Sequence, residues 1–469
     1  MPEPTSLPLS IDRWYPALAA GVRRFHVLDG VRSAAGLAAA WNKVGNGEAL
    51  VVLDRARSRL GRALRLGRPG RAAGWIGRLP DVDRRDRWLQ LPGTGRRAIL
   101  VPTPAEPFVA SLALLSTDGL RRRVAREVFG WMGKLGQARR MGFDELVVAV
   151  RGAPSGAGVD WLRDQSRPAL AIGVGAPDRF QKAIAVALDA RGDALGVVKL
   201  SLRRRARALV RHEGAVLGDL VGIAPESTFA PALYGRGRTP DGAEWLAQEA
   251  LGGPRSGADL TPGHLSFLAG LSWRTSREIP LLEVEAYRRA CERLGALRHV
   301  ADDEWVVRME RLRESLRRRM GRRSVPCNLA HGDFTPENLI TGDGHMRAYD
   351  WEHSMEAAPA LYDLVHFHVQ TSVLARDHSP ERTLDELLAL LHGGSGSGLL
   401  ENAKLDAQDV AALVGLYVLH VATAEERNEP QSQPLTPDAQ RLRAARMELA
   451  RRLAGQLVEE ARSLRTGAA

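Results

Sequence analysis

The sequence predicts an α+β chain in three parts: an α/β region, then a small β-rich lobe, then a larger helical lobe. Three observations carry this prediction. Apolar strand-like runs alternate with helical patterns up to about residue 160, paired apolar runs with tight turns follow to about residue 252, and amphipathic helical patterns dominate from about residue 260. The implied boundaries are 1–160, 161–252 and 253–469.

In the first part the strand-like runs are "ALVVLD" (49–54), "AILVPT" (98–103) and "LVVAVR" (146–151), with helical stretches such as "GLRRRVAREVFGWMGKLGQARR" between them. That alternation points to an α/β unit with some parallel strands. The small, glycine-rich segment "GAPSGAGVD" (152–160) marks its end. Next come "PALAIGVG" and "KAIAVALDARGDALGVVKLS", in which Arg191, Gly192 and Asp193 turn one apolar run back on another. A helix over roughly 201–221 and a strand-like piece, "EWLAQEAL" (244–251), complete the second part. The third part reads as helices such as "DDEWVVRMERLRESLRRRM", interrupted by "LAHGDFTPENLI" (329–340), with a flexible connection at "GGSGSG" (393–398).

Composition narrows the class. At 469 residues, 44% hydrophobic and 26% charged, the chain has the make-up of a folded multidomain protein. The formal charge is +11, and of 66 basic residues only five are lysine, the other 61 being arginine. Runs such as Arg121 to Arg123, Arg203 to Arg205 and Arg317 to Arg319 read as solvated helix faces. They have no interleaved aromatics or zinc-finger spacing, so nucleic acid is not the expected partner. Two cysteines, Cys291 and Cys327, form no disulfide framework or metal-ligand pattern, which fits a reducing compartment. The N-terminus lacks the basic and apolar regions of a secretory signal. The longest apolar run, "VAALVGLYVLHVATA" (410–424), is too short to span a hydrocarbon core of ~30 Å and is expected as a buried helix. Together these features predict a cytoplasmic protein.

The chemistry concentrates in residues 331–350. After Asn338 the chain reads "LITGDGHMRAYDWEHS", two short apolar stretches about Gly342-Asp343-Gly344, which is a β-hairpin pattern. Such a hairpin folds Asp350 back toward Asn338, with Asp333 on the loop just before. One amide and two carboxylates suit a hard cation such as Mg²⁺, which takes oxygen ligands and is completed by phosphates and water. A carboxylate beside the metal can accept the proton of an attacking hydroxyl. Asp333 is then the base, and Asn338 and Asp350 are the ligands, a division suited to phosphoryl transfer. The competing reading is a turn in which Asp and Asn make local hydrogen bonds.

"HGDFTPENLI" with "YDWE" resembles the catalytic loop and metal motif of the aminoglycoside phosphotransferase and choline kinase-like family, small-molecule kinases with the protein-kinase fold. The resemblance covers about 300 residues, 165–469, and is specific in the catalytic loop but weak in the β-rich lobe. It implies Asp333 as base, Asn338 and Asp350 as Mg²⁺ ligands, and ATP or GTP held between two lobes. Glu352 stands where some members have an acidic residue near the second metal; an exposed strand-end carboxylate is the alternative. Asp363, in "APALYDLVHF", resembles the aspartate that buttresses the catalytic loop from the next helix, with a helix cap as the alternative. His331 reads as a brace for the loop.

A kinase of this type also needs a cation on the α and β phosphates and a carboxylate to orient it. "ALGVVKLS" places Lys199 in an apolar strand; the alternative is a lysine that snorkels to solvent. Glu213 lies on the apolar stripe of the following helix and requires a partner there. Glu249 as the mate of Lys199, and Arg211 as the mate of Glu213, stay open. "GVGAPDRFQK" offers Gly173 and Gly175 as a phosphate-covering turn, though a plain hairpin explains it too. "QEALGG" (248–253) occupies the hinge position, where main-chain groups from Gln248 to Leu251 would read the base.

Only twelve residues separate Asp350 from Asp363, with no Ala-Pro-Glu signature, so a protein-kinase activation segment has no room. A small hydroxylated acceptor follows. The stretch "SVLARDHSPERTLDELL" mixes charge signs, which favours a sugar, polyol or amino alcohol over an aminoglycoside. Two other classes compete: a kinase-like scaffold without turnover, and a basic adaptor for nucleic acid or acidic polymer, whose binding would fall steeply with salt.

Overall fold

The computed structural model describes residues 24–29, 34–44, 48–54, 78–82, 84–92, 98–112, 144–151, 168–175, 178–223, 229–239, 241–299, 301–321, 323–342, 345–393, 409–428 and 436–466, and singly Tyr15, Gly130, Val159, Trp161, Leu162 and Gln165. Outside them lie most of the helical stretch expected over 119–140, the boundary segment 152–160 apart from Val159, the turn residues Asp343 and Gly344, and the "GGSGSG" connection beyond Gly393. The chain divides into two compact units, 1–215 with 232–250 and 216–231 with 251–469.

The first unit is built on one ten-stranded sheet. In chain order its strands are β1 (Arg24–Asp29), β2 (Glu48–Asp54), β3 (Arg84–Pro92), β4 (Ala98–Pro102), β5 (Asp144–Arg151), β6 (Ala169–Val174), β7 (Lys182–Leu188), β8 (Ala194–Ser201), β9 (Leu233–Arg238) and β10 (Glu244–Gln248). Their spatial order is β1-β2-β5-β3-β4-β6-β7-β8-β10-β9. The three apolar runs of the N-terminal region become β2, β4 and β5. Their expected parallel character holds only for β1 against β2, joined through α1 (Ala34–Trp41). The other pairings are antiparallel, β2 with β5 among them.

Period-two burial explains why the sheet holds together. Val51, Leu146, Val148, Trp88, Leu100, Ile172, Ala185, Val198, Leu200 and Ala247 belong to one buried cluster that runs under nearly the whole sheet. The opposite face is covered locally: Leu37 and Trp41 of α1 pack on Leu50, Val52, Val147 and Ala149, and Phe108 of α2 (Ala105–Ser111) packs on Leu89, Leu91 and Val101. Strand β4 pairs with β6 through Ala98 to Val174, Ile99 to Gly173 and Leu100 to Ile172. The Trp88 indole donates to the Leu170 carbonyl at 2.8 Å across the same junction. Residues on either side of 160 thus share one sheet and one core.

The second unit is mainly helical, as the sequence pattern predicts. Helix α3 (Arg204–Ile223), which begins in the first unit, is followed by α4 (Pro262–Thr275), α5 (Glu285–Leu297), α6 (Asp303–Met320), α7 (Tyr362–Gln370), α8 (Pro380–His392), α9 (Val410–Asn428) and α10 (Pro437–Thr466). Acids open α6 and three arginines close it, matching the helix dipole, and Asp302 caps it by accepting the Trp305 N–H at 3.0 Å. Helix α9 is the apolar run of 410–424, buried from Val410 to Ala422. Among the described residues no helix is long and apolar enough to cross a membrane. Two small antiparallel elements position the loops: β11 (Arg277–Pro280), β12 (Ser324–Ala330) and β15 (Met355–Pro359), and the hairpin β13 (Leu339–Gly342) with β14 (His345–Ala348).

Candidate functional site

In the second unit the chain leaves β12 at Ala330 and runs through His331 to Thr335 before a 3₁₀ turn, Pro336–Asn338. Asp363, buried in the first turn of α7, anchors this loop. Its Oδ2 accepts the His331 N–H at 2.6 Å and its Oδ1 accepts the Gly332 N–H at 2.9 Å. Gly332 has φ +84°, and a β-carbon there would sit 2.0 Å from the His353 carbonyl oxygen, so this position requires glycine. The sequence alternatives for Asp363 included a helix cap; its carboxylate instead faces the loop.

His331 is fully buried. Its Nε2 lies 3.0 Å from the Tyr349 carbonyl, its Nδ1 receives the Asp333 N–H at 3.3 Å, and its ring packs against Trp351 at 4.8 Å between centroids. Those partners assign the proton to Nε2, and burial holds the pKa down at about 4, so the ring is neutral. Its contacts tie the loop to Tyr349 and Trp351.

Asp333 is half-buried. The Asn338 amide nitrogen donates to both its backbone carbonyl and its Oδ2, each at 2.9 Å. This fixes the amide and leaves Asn338 Oδ1 as the atom able to meet a cation. Burial pushes the Asp333 carboxyl up, but the contact with His366 outweighs it, and the group lies below the ordinary value. An ionised carboxylate at neutral pH is what a general base requires.

The hairpin returns the chain as expected. Leu339 pairs with Ala348, and the Tyr349 N–H donates to the Asn338 carbonyl at 3.0 Å. Asp350 follows in the left-handed region at φ 72° and ψ 53°, heading the turn Trp351–His353. Aspartate tolerates that conformation better than most residues, at a cost that surrounding structure must sustain. Glu352 is half-buried, with His353 Nε2 at 3.5 Å from its Oε1.

The sequence reading passed over one residue. His366, buried on α7 one turn beyond Asp363, has its Nε2 3.3 Å from Asp333 Oδ1. Its signal was available in "YDLVHFH": a histidine three residues past a loop-anchoring aspartate lies on the same helix face.

In the first unit Lys199 Nζ meets Glu213 Oε1 at 2.6 Å, the two side chains 5% and 0% exposed. β8 presents the lysine between Ile184 of β7 and Leu246 of β10, and α3 presents the glutamate. The two competitors are engaged elsewhere. Glu249 Oε2 accepts the Ala232 N–H at 3.1 Å, and the exposed Arg211 lies 3.2 Å from Glu244.

Gly173 sits within β6, paired to Ile99 on one side and Ile184 on the other. The Gly175 N–H donates to the Lys182 carbonyl at 3.0 Å, and Gln181 Nε2 donates to the Gly175 carbonyl at 3.0 Å. These backbone groups belong to a closed hairpin, which favours the plain-hairpin alternative. Gln248 ends β10 with a buried side chain whose Oε1 has no hydrogen-bond partner; Leu251, half-buried, falls in the second unit.

No family model matches the chain. No curated protein matches it in sequence. Solved structures similar to it include an amicoumacin kinase in complex with AMP-PNP and Ca²⁺, at 13% identity and TM-score 0.38, covering 60% of this chain and 88% of that one. A thermostable mutant of an aminoglycoside phosphotransferase in apo form matches at 14% identity and TM-score 0.42, covering 63% and 99%. A choline/ethanolamine kinase family protein from Mesorhizobium loti matches at 14% and 0.39, covering 66% and 94%.

Proposed function

We propose that the chain is a phosphotransferase that moves the γ-phosphate of ATP or GTP to a hydroxyl of a small molecule. The observation that carries this reading is Asp333, an ionised carboxylate held by Asn338 on a loop whose backbone is tied to the buried Asp363. Asp333 takes the proton of the acceptor hydroxyl as its oxygen bonds to the γ-phosphorus and the bond to the bridging oxygen breaks. The Lys199 ammonium, oriented by Glu213, binds the α and β phosphates. Asn338, Asp350 and Glu352 supply only oxygen ligands, and the fixed Asn338 amide has its oxygen to spare, so this set fits Mg²⁺. Bound there, Mg²⁺ would neutralise phosphate charge. Gln248 and Leu251 are the proposed base-reading positions; the backbone groups of Gly175 are taken up in a hairpin, which argues against Gly173 and Gly175 as a phosphate-covering turn.

A small acceptor is favoured because the residues between Asp350 and Asp363 form a turn and β15, which pairs with β12 through Cys327 to Pro359 and Asn328 to Ala358. A sugar, polyol or amino alcohol is favoured over an aminoglycoside-like compound. The free thiols of Cys291 and the buried Cys327 support a cytoplasmic enzyme.

The test is a panel of hydroxyl compounds with Mg-ATP and Mg-GTP, following labelled γ-phosphate in wild type and Asp333→Asn. Loss of the base predicts a fall of roughly 10² to 10⁴ in rate. No nucleotide binding, or a mutant equal to wild type, would overturn the reading.

A further inference from the structure

We propose that His366 is a positioning residue for Asp333, holding Oδ1 of the base from the side opposite Asn338. The proposal rests on the phosphotransferase reading, since it assigns His366 its task through Asp333. His366 Nε2 lies 3.3 Å from Asp333 Oδ1 and is buried without a well-aligned hydrogen bond. Catalytic hydrogen bonds are often loose like this before substrate is bound. On the other side of the ring, Nδ1 lies 3.3 Å from the hydroxyl of Tyr417, a fully buried residue of α9.

The direction of the chain follows from chemistry. Burial raises the Tyr417 hydroxyl, so it keeps its proton and can donate to His366 Nδ1. That leaves the imidazole proton on Nε2, the ring nitrogen 3.3 Å from Asp333 Oδ1. Burial lowers His366 more than the facing Asp333 raises it, and the charge of Arg446 also opposes a second proton, so the ring is a neutral donor. Asp333 is thereby gripped at both oxygens, Oδ1 by His366 and Oδ2 by Asn338, while each oxygen keeps a lone pair for the substrate hydroxyl. Without His366 the carboxylate can rotate about its last bond and leave the line of attack.

The test compares His366→Leu, His366→Gln and Asp333→Asn in the full chain. His366→Leu should lower kcat by roughly 10- to 100-fold with the nucleotide KM within about twofold, because the lost group acts only in the chemical step. His366→Gln, whose amide nitrogen reaches the Nε2 position, should recover part of that loss. Combining His366→Leu with Asp333→Asn should cost no more than Asp333→Asn alone, because residues acting as one unit are not additive. Additive losses, or a wild-type kcat in His366→Leu, would overturn the proposal.

A second measurement needs no turnover. In ¹⁵N-histidine spectra, with His366 assigned by its loss in His366→Gln, the proton should sit on Nε2 and its resonance should move in Asp333→Asn. A proton on Nδ1, or a resonance indifferent to Asp333, refutes the contact. If wild type transfers no phosphate while the spectrum shows the Nε2 proton responding to Asp333, the functional reading fails and the pairing stands.

Discussion

Replacing Gly332 by alanine puts the shape of the catalytic loop under direct strain. At φ +84° an L-residue costs about 1–2 kcal/mol. The new β-carbon would also lie 2.0 Å from the His353 carbonyl oxygen, closer than any contact allows, so one of two backbones must move. Forced overpacking of this kind costs about 1–3 kcal/mol. The sum is about 2–5 kcal/mol, or a melting temperature lower by roughly 4–20 °C for a unit of this size. Any movement of Gly332 strains its N–H bond to Asp363, so phosphate transfer should fall even where the protein stays folded. Calorimetry of Gly332→Ala beside Gly455→Ala is the assay. Gly455 lies in α10 with open space around it, and alanine there should raise stability by about 0.5–1 kcal/mol. A Gly332→Ala protein that melts within 1 °C of wild type, roughly a quarter to a half of a kcal/mol, would show the reasoning to be wrong.

Two further outcomes follow from buried charges. Glu213→Leu or Lys199→Met each breaks a buried ion pair and should cost up to about 3–5 kcal/mol, while the double variant should cost less than the sum; additive losses in urea unfolding would refute a coupled pair. Asp363 is pushed up to about 7 by burial, against the pull of the Gly332 and His331 N–H groups. Its folded pKa thus exceeds the unfolded value of about 3.9, so its contribution to stability is complete below about pH 4 and is lost as pH rises through 7. Asp363→Asn does not titrate, and leaves one loop N–H without an acceptor at a cost of about 1–3 kcal/mol. Its deficit in urea unfolding should therefore narrow from pH 5 to pH 7.5, and parallel curves would contradict the assignment.

The second unit was the more legible in sequence because its signals are local. A loop tripeptide, a hairpin pattern and a short helix bring Asp333, Asn338, Asp350 and Asp363 within about 30 residues, and α9 announces itself as an apolar run. The Lys199–Glu213 pair could be guessed because both lie on apolar faces 14 residues apart. The ten-stranded sheet could not. Its order depends on which apolar run meets which, and β2 lies against β5 with nearly a hundred residues between them. His366 is only partly legible: its spacing from Asp363 places it on the loop-facing side of α7, but that it meets Asp333, 33 residues earlier, is known only from the packing.

The junction of β4 with β6 gives the region before residue 160 a physical meaning apart from any ligand of its own. Six consecutive residues of β6 pair with β7, so without β4 the other border of β6 would present unpaired amides and carbonyls, the template on which chains add to one another. The apolar layer beneath it, from Leu170 to Ala247, would at the same time lose its continuation through Leu100, Trp88 and Val148. The N-terminal strands act as a built-in neighbour, occupying a docking edge that a free-standing β-rich lobe would have had to blunt by other means.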